Sequence, residues 1–145
     1  MLAFVDYRCN LKTKTTTVIN HMKDITKTEF EVLEALWEKS PASAQEIIQS
    51  LNQQKDWHDK TVKTLLSRLV KKQAIDFDKQ QRSYLYFPLF EREDYVVKES
   101  ENLVSRLFNG RVAPLVAGFA DTDALSQQDV DELKLLIKKW EQNND

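Results

Sequence analysis

The run Asp59-Lys60-Thr61-Val62-Lys63-Thr64-Leu65-Leu66-Ser67-Arg68-Leu69-Val70-Lys71-Lys72 places its apolar residues Val62, Leu65, Leu66, Leu69 and Val70 at spacings of three and four. That period predicts a helix over about residues 59–72 with one buried stripe. The rest of its surface reads Lys60, Thr61, Lys63, Thr64, Ser67, Arg68 and Lys71: basic, rich in hydroxyls, and without an acidic residue after Asp59. Upstream, Thr26-Lys27-Thr28-Glu29 and Ser43-Ala44-Gln45-Glu46 each set a hydroxyl residue three positions before a glutamate, the capping-box pattern that opens a helix. The first helix spans about residues 27–39, with Phe30, Leu33 and Trp37 on one face and Pro41 as its stop. The second is short and buries Ile47, Ile48 and Leu51. Downstream, residues 75–77 and 83–87 are β-type runs joined by Asp78-Lys79-Gln80-Gln81, which predicts a hairpin with a polar, partly basic tip. Alternation puts Tyr84 and Tyr86 on one side of it and Leu85 on the other. Three helices followed by a hairpin is the order of a winged helix-turn-helix domain, placed here over residues 22–90.

Beyond Pro88 the chain returns to helical spacing. Residues 91–109 carry Tyr95, Val96, Val97, Leu103, Leu107 and Phe108, with Gly110 placed as the stop; residues 112–119 hold Pro114 in their first turn. A last helix begins at Ser126, with Asp129 in its first turn, Leu125 positioned to staple onto Val130, and a stripe of Val130, Leu133, Leu136, Ile137 and Trp140. These stripes have little of their own chain left to pack against, so residues 91–145 are expected to form a helical dimerisation domain. Leu103, Leu107, Phe108, Leu115, Phe119, Leu133, Leu136, Ile137 and Trp140 are its expected contacts. Phe30, Trp37, Phe119 and Trp140 are expected in core or dimer contacts, as large aromatics at helical spacing usually are. Residues 1–21 follow neither period and are read as a disordered or non-native extension. Met22, just before the first well-formed helix, is a second candidate start of translation. The apolar residues 2–5 are too few for a secretory signal.

Composition sets the outer limits. A chain of 145 residues holds one ordinary domain, or a small domain with an accessory element. With 41% apolar and 30% charged residues it reads as a soluble globular protein, and with only two glycines and three prolines as a mainly α-helical one. No apolar run approaches the roughly 20 residues of a membrane span, so no membrane partner is expected and the cytoplasm is the expected location. Two glycines, Gly110 and Gly118, leave few sites for positive-φ turns or phosphate-cradling loops. The single cysteine, Cys9, excludes an internal disulfide and a thiolate zinc cluster, and the two histidines, His21 and His58, stand in no metal-ligand or nucleophile pattern. No catalytic residue, cofactor or metal is therefore expected.

The net charge of −2 hides an uneven distribution. Residues 59–88 hold seven basic against three acidic side chains, and residues 89–145 hold seven basic against twelve acidic ones. Attraction to phosphate depends on the local face, and the third helix with the hairpin supplies one. There Lys60, Lys63, Arg68, Lys71 and Lys79 are suited to phosphates or bases, while Thr61 and Thr64 offer a methyl and a hydroxyl to base edges in the major groove. A solvated lysine-rich face is the alternative use of such a helix; the capped helices before it and the hairpin after it favour DNA.

These stretches resemble the penicillinase-repressor (BlaI/MecI) family of transcriptional regulators. The similarity lies in Thr26 to Leu33 with Leu36-Trp37, in Ser43 to Ile47, and above all in the Asp-Lys-Thr-x-x-Thr-Leu-x-x-Arg-Leu run from Asp59 to Leu69. It continues through Leu107-Phe108-Asn109-Gly110 and from Leu115-Val116-Ala117-Gly118-Phe119 to Leu125-Ser126, and nothing before Met22 takes part. The resemblance implies a homodimeric repressor on a dyad-symmetric double-stranded DNA operator, with Lys60, Thr61, Lys63, Thr64 and Arg68 on the recognition helix and Lys79, Arg82 and Ser83 on the wing. Copper-responsive relatives carry a C-terminal cysteine motif that is missing here. In the antibiotic-resistance members a membrane sensor protease cleaves an Asn-Phe bond in the dimerisation region. The aligned bond is Gly118–Phe119, the candidate cleavage bond by analogy, and a sensor protease or another inducer is an implied partner. A winged-helix module for protein–protein contact, without DNA readout, is the competing function, suggested by the net acidity and the apolar C-terminal helices.

Overall fold

In the computed structural model, which describes residues 25–145, helix α1 (Lys27–Glu38) starts at the expected capping box. Thr26 Oγ1 accepts from Glu29 N at 3.2 Å, and Glu29 Oε2 accepts from Thr26 N at 3.0 Å. After the two-residue strand β1 (Ala42–Ser43), Ser43 Oγ caps α2 (Ala44–Leu51) by accepting from Glu46 N at 3.2 Å. Helix α3 (Asp59–Lys71) leads into β2 (Ile75–Gln80) and β3 (Ser83–Pro88). Helices α4 (Arg92–Phe108), α5 (Val112–Asp121) and α6 (Gln127–Asn143) complete the described chain. The fold is mainly α with one three-stranded antiparallel sheet in the order β1-β3-β2, the winged-helix arrangement. The expectations for residues 1–21, Cys9, His21 and Met22 lie outside the described residues.

The described residues divide into two compact units between Lys98 and Glu99, within α4. In the first unit Val32, Leu33 and Leu36 of α1 meet Ile47 and Ile48 of α2, Val62, Leu66 and Leu69 of α3, and Ile75 of β2 in one core. Phe30 and Trp37 pack on that core, and with Phe90 and Tyr95 they form a ring cluster with centroids 5.7–6.0 Å apart. Trp37 Nε1 donates to Phe90 O at 2.9 Å, which satisfies the indole N–H and anchors the chain leaving the hairpin.

Two details depart from the sequence reading. Strand β1 was not expected; Ala42 and Ser43 become a strand only by pairing with Tyr86 and Leu85 of β3. The hairpin is also longer than expected, because pairing runs on to Gln80 opposite Ser83, so Lys79 stands within β2 opposite Tyr84 rather than at the tip. The tip is Gln81–Arg82, and Gln81 takes the left-handed φ of 53° that a two-residue turn demands. Scarcity of glycine did not prevent such turns: Gln73, Asn109 and Asp123 also have positive φ. At Gln73 the reason is a Schellman closure of α3, in which Ala74 N donates to Leu69 O and Gln73 N to Val70 O, both at 3.0 Å. Glycine is the residue that closure prefers, so Gln73→Gly is expected to raise stability by about 0.5–1 kcal/mol, read as an increase in the urea midpoint at unchanged m.

Glu29 is 1% exposed and does more than cap. Its Oε2 also accepts from Lys72 Nζ at 2.7 Å, which ties the start of α1 to the end of α3. Burial pushes the carboxyl pKa up, but the Lys72 hydrogen bond and charge and the Thr26 N–H bond together bring it below the ordinary 4.5. A depressed pKa means that the pair stabilises the fold above the ordinary carboxylate range and that this contribution is lost as pH falls through it and below. Lys72→Met leaves a buried carboxylate without its cation and is expected to cost about 2–3 kcal/mol at pH 7. Urea melts across pH 3–7 should show that deficit narrowing toward acid; a deficit independent of pH would rule out the ion pair as its source.

In the second unit α6 begins at a complete capping box, Ser126 Oγ accepting from Asp129 N at 3.1 Å and Asp129 Oδ2 accepting from Ser126 N at 3.0 Å. Neither α5 nor α6 contains a buried residue, and the described stretch from Glu99 onward buries only Val104.

Candidate nucleic-acid interface

At about 100° per residue, Val62, Leu65, Leu66 and Leu69 occupy one arc of α3 and are buried. Lys60, Thr61, Lys63, Thr64, Ser67, Arg68 and Lys71 fall on the opposite arc of about 160°, and all are exposed. Burial of the apolar stripe against α1 and α2 is thus what turns the basic side outward. A shallow groove on this face is lined by His58, Lys60, Thr61, Thr64, Leu65 and Arg68, and a neighbouring one by Asp59, Lys60, Lys63, Thr64 and Ser67. His58 occupies the N-cap without a side-chain cap bond, so the first N–H groups of α3 are left to an outside acceptor, beside Lys60 and Thr61.

Two of the three hydroxyls on this face are committed to the helix backbone. Thr64 Oγ1 donates to Lys60 O at 2.9 Å and Ser67 Oγ donates to Lys63 O at 3.1 Å. With its proton committed to the backbone, the Thr64 hydroxyl retains acceptor capacity, which matches an exocyclic amino group of adenine or cytosine, while its methyl matches the thymine methyl. Ser67 was not singled out as a site residue from the sequence, although its spacing from Thr64 and Lys63 signals the same face.

On the hairpin Lys79, Arg82 and Ser83 are all exposed, Arg82 at the two-residue tip and Ser83 just after it. Phe77, Lys79, Tyr84 and Tyr86 share one face; the Phe77 ring lies 4.9 Å from Tyr84 and 5.8 Å from Tyr86. Asp76 and Asp78 fall on the other face, so the wing's basic groups are concentrated at its end.

The expected dimer residues separate into exposed and half-buried ones. Leu103, Leu107, Phe119, Leu136, Ile137 and Trp140 are exposed, Trp140 by 66%, whereas Phe108, Leu115 and Leu133 are half-buried. Phe119 and Trp140 are therefore not core residues of the single chain. Val97, Val112 and Leu135 are equally exposed apolar side chains that the sequence reading left out of the contact set. The Gly118–Phe119 bond lies inside α5, with Phe119 48% exposed.

Among the described residues no group of three His, Cys, Asp or Glu is arranged to hold a metal ion, and no helix is long and apolar enough to cross a membrane. A family model for penicillinase repressors matches residues 25–139. The chain is 37% identical over 120 residues to the methicillin resistance regulatory protein MecI of Staphylococcus aureus (strain N315), covering 83% of this chain and 98% of that one. To the penicillinase repressor of Bacillus licheniformis it is 31% identical over 115 residues, covering 79% and 90%. The solution structure of the DNA binding domain of the repressor BlaI shares 35% identity, covers 51% of this chain and 94% of its own, and superposes with a TM-score of 0.45.

Proposed function

The chain belongs to the penicillinase-repressor family, and from that premise we propose that it is a DNA-binding transcriptional repressor acting as a homodimer on a dyad-symmetric operator. The observation that carries this reading is the exposed basic arc of α3, seven side chains without an acid among them, set on a winged helix. Thr61, Thr64 and Arg68 face base edges in the major groove; Lys60, Lys63 and Lys71 neutralise the flanking phosphates; Lys79, Arg82 and Ser83 bring the wing to the backbone beside them. Residues 22–90 are the reading head and residues 91–145 the dimerisation domain.

A two-fold dimer explains why the C-terminal part is acidic and apolar: its task is to hold two heads one or more helical turns apart, not to touch phosphate. The chain works in the cytoplasm, without cofactor and without catalysis of its own, and represses by occupying the operator. Release follows from an inducer or a sensor protease. Cleavage at Gly118–Phe119 would require α5 to unwind locally, since proteases bind extended backbone.

Selection of bound duplexes from a random DNA pool tests this reading. A dyad-symmetric consensus with half-sites about one helical turn apart is the expected outcome. Recovery of no consensus would favour a winged-helix module that contacts protein.

A further inference from the structure

Within the first unit a cleft of about 760 Å³ opens between α1, the end of α2 and the start of α4, in the size range of small-molecule sites. It shares no residue with α3 or the hairpin. Phe30, Trp37 and Trp57 give it aromatic walls. Five carboxylates line it, from Glu31, Glu34 and Glu38 of α1 and from Glu91 and Glu93 around the start of α4, against only two cations, Lys55 and Arg92. Arg92 Nε donates to Glu34 Oε1 at 2.7 Å, and Lys55 Nζ lies 3.9 Å from Glu31. Glu38, Glu91 and Glu93 remain in excess, and all three are exposed.

Lys55 indicates what the cleft selects. Its Nζ stands 4.8 Å from the Trp57 ring centroid as well as beside Glu31, so the chain's own ammonium occupies a place between an aromatic face and a carboxylate. That is the arrangement by which proteins hold organic cations. The Lys55 side chain is 62% exposed on a flexible stem, so another cation can displace it.

We propose that this cleft is a binding site for an organic cation with an aromatic or apolar body. The body would lie against Phe30 and the two indoles, and the positive charge would take the place of Lys55 or face the surplus glutamates. The segment involved, Gln54 to Trp57, runs directly into His58 at the start of α3, and Trp57 N donates to Asn52 Oδ1 at 2.6 Å. A bound cation therefore touches the connector that positions α3. Any effect on operator affinity rests on the DNA-binding reading above, whereas binding itself does not.

Tetraphenylphosphonium, titrated into the full chain and followed by calorimetry and tryptophan fluorescence, tests the site, with tetraphenylborate as the anion of the same shape. Saturable binding of one phosphonium per chain, with the borate failing to bind at the same concentrations, is expected. Replacing the surplus carboxylates together, Glu38→Gln with Glu91→Gln and Glu93→Gln, should weaken binding about tenfold in a chain that stays folded at the titration temperature, with at most a small drop in melting temperature from the lost first-turn acid of α4. Lys55→Ala, which clears the Trp57 face and frees Glu31, should tighten it about threefold, a gain that general damage would not produce. Equal binding of both ions, or unchanged affinity in both variants, would overturn the proposal. The readout contains no DNA, so its failure leaves the repressor reading standing, and failure to bind operator leaves the cleft standing.

Discussion

Arg68→Ala is expected to weaken operator binding by about 1–3 kcal/mol, roughly five- to 150-fold, and to relax preference at one base pair of each half-site. The guanidinium projects from the exposed arc of α3 among the residues of its groove, where a bidentate contact to guanine is the interaction arginine makes best. Lys63→Ala should act differently. Its ammonium serves as a point charge toward phosphate, so affinity should fall on specific and scrambled duplex alike, and the slope of log K against log salt should flatten by about one unit. Both side chains are exposed, so neither change should move the melting temperature by more than the equivalent of about 0.5 kcal/mol. Parent-like binding by both variants would remove α3 from the recognition role.

The second large effect is expected in the C-terminal helices. Ile137 and Trp140 lie one turn apart on α6 and are 56% and 66% exposed, and neither α5 nor α6 buries a residue in the single chain. Apolar surface of that extent marks a contact surface. The parent chain is expected to sediment at about twice 17.0 kDa at micromolar concentration. Ile137→Asp combined with Trp140→Asp should sediment as a monomer, because two carboxylates would have to be desolvated at the interface. Loss of the dimer removes the tether between heads, so affinity for the full dyad should fall by about 10²–10³ while affinity for an isolated half-site stays nearly the same. A double variant that remains dimeric would place the interface elsewhere.

Much of this architecture was legible in the chain because its helices are amphipathic and carry their own start signals. Thr26 forms the reciprocal cap that its pattern announces and Ser126 caps where expected, whereas the Ser43 pattern yields only the bond from Glu46 N. The α3 stripe is buried where its period puts it, except that Val70 at its end is half-buried. What could not be read has physical causes. Ala42-Ser43 has no strand character of its own and gains it only from β3. The hairpin tip was misplaced because the turn forces Gln81, not glycine or asparagine, into left-handed φ, a cost that pairing of the flanking strands offsets. The Glu29–Lys72 pair joins residues 43 positions apart, and no local pattern announces it. On α3 the basic face was visible from spacing, but the commitment of the Thr64 and Ser67 protons to the helix backbone is a property of the folded helix. In α6 the apolar stripe was legible, yet Leu135, about half a turn away from it and 67% exposed, lies outside that pattern.

Fluorescence anisotropy of the full chain on duplex DNA from upstream of its own gene, titrated at several salt concentrations against a scrambled duplex, tests the repressor reading most directly. A repressor with the α3 surface described above binds the upstream duplex far more tightly than the scrambled one, and both affinities fall linearly on a log–log plot against salt, since each neutralised phosphate releases counterions. Equal affinity for the two duplexes with no dependence on salt would contradict it.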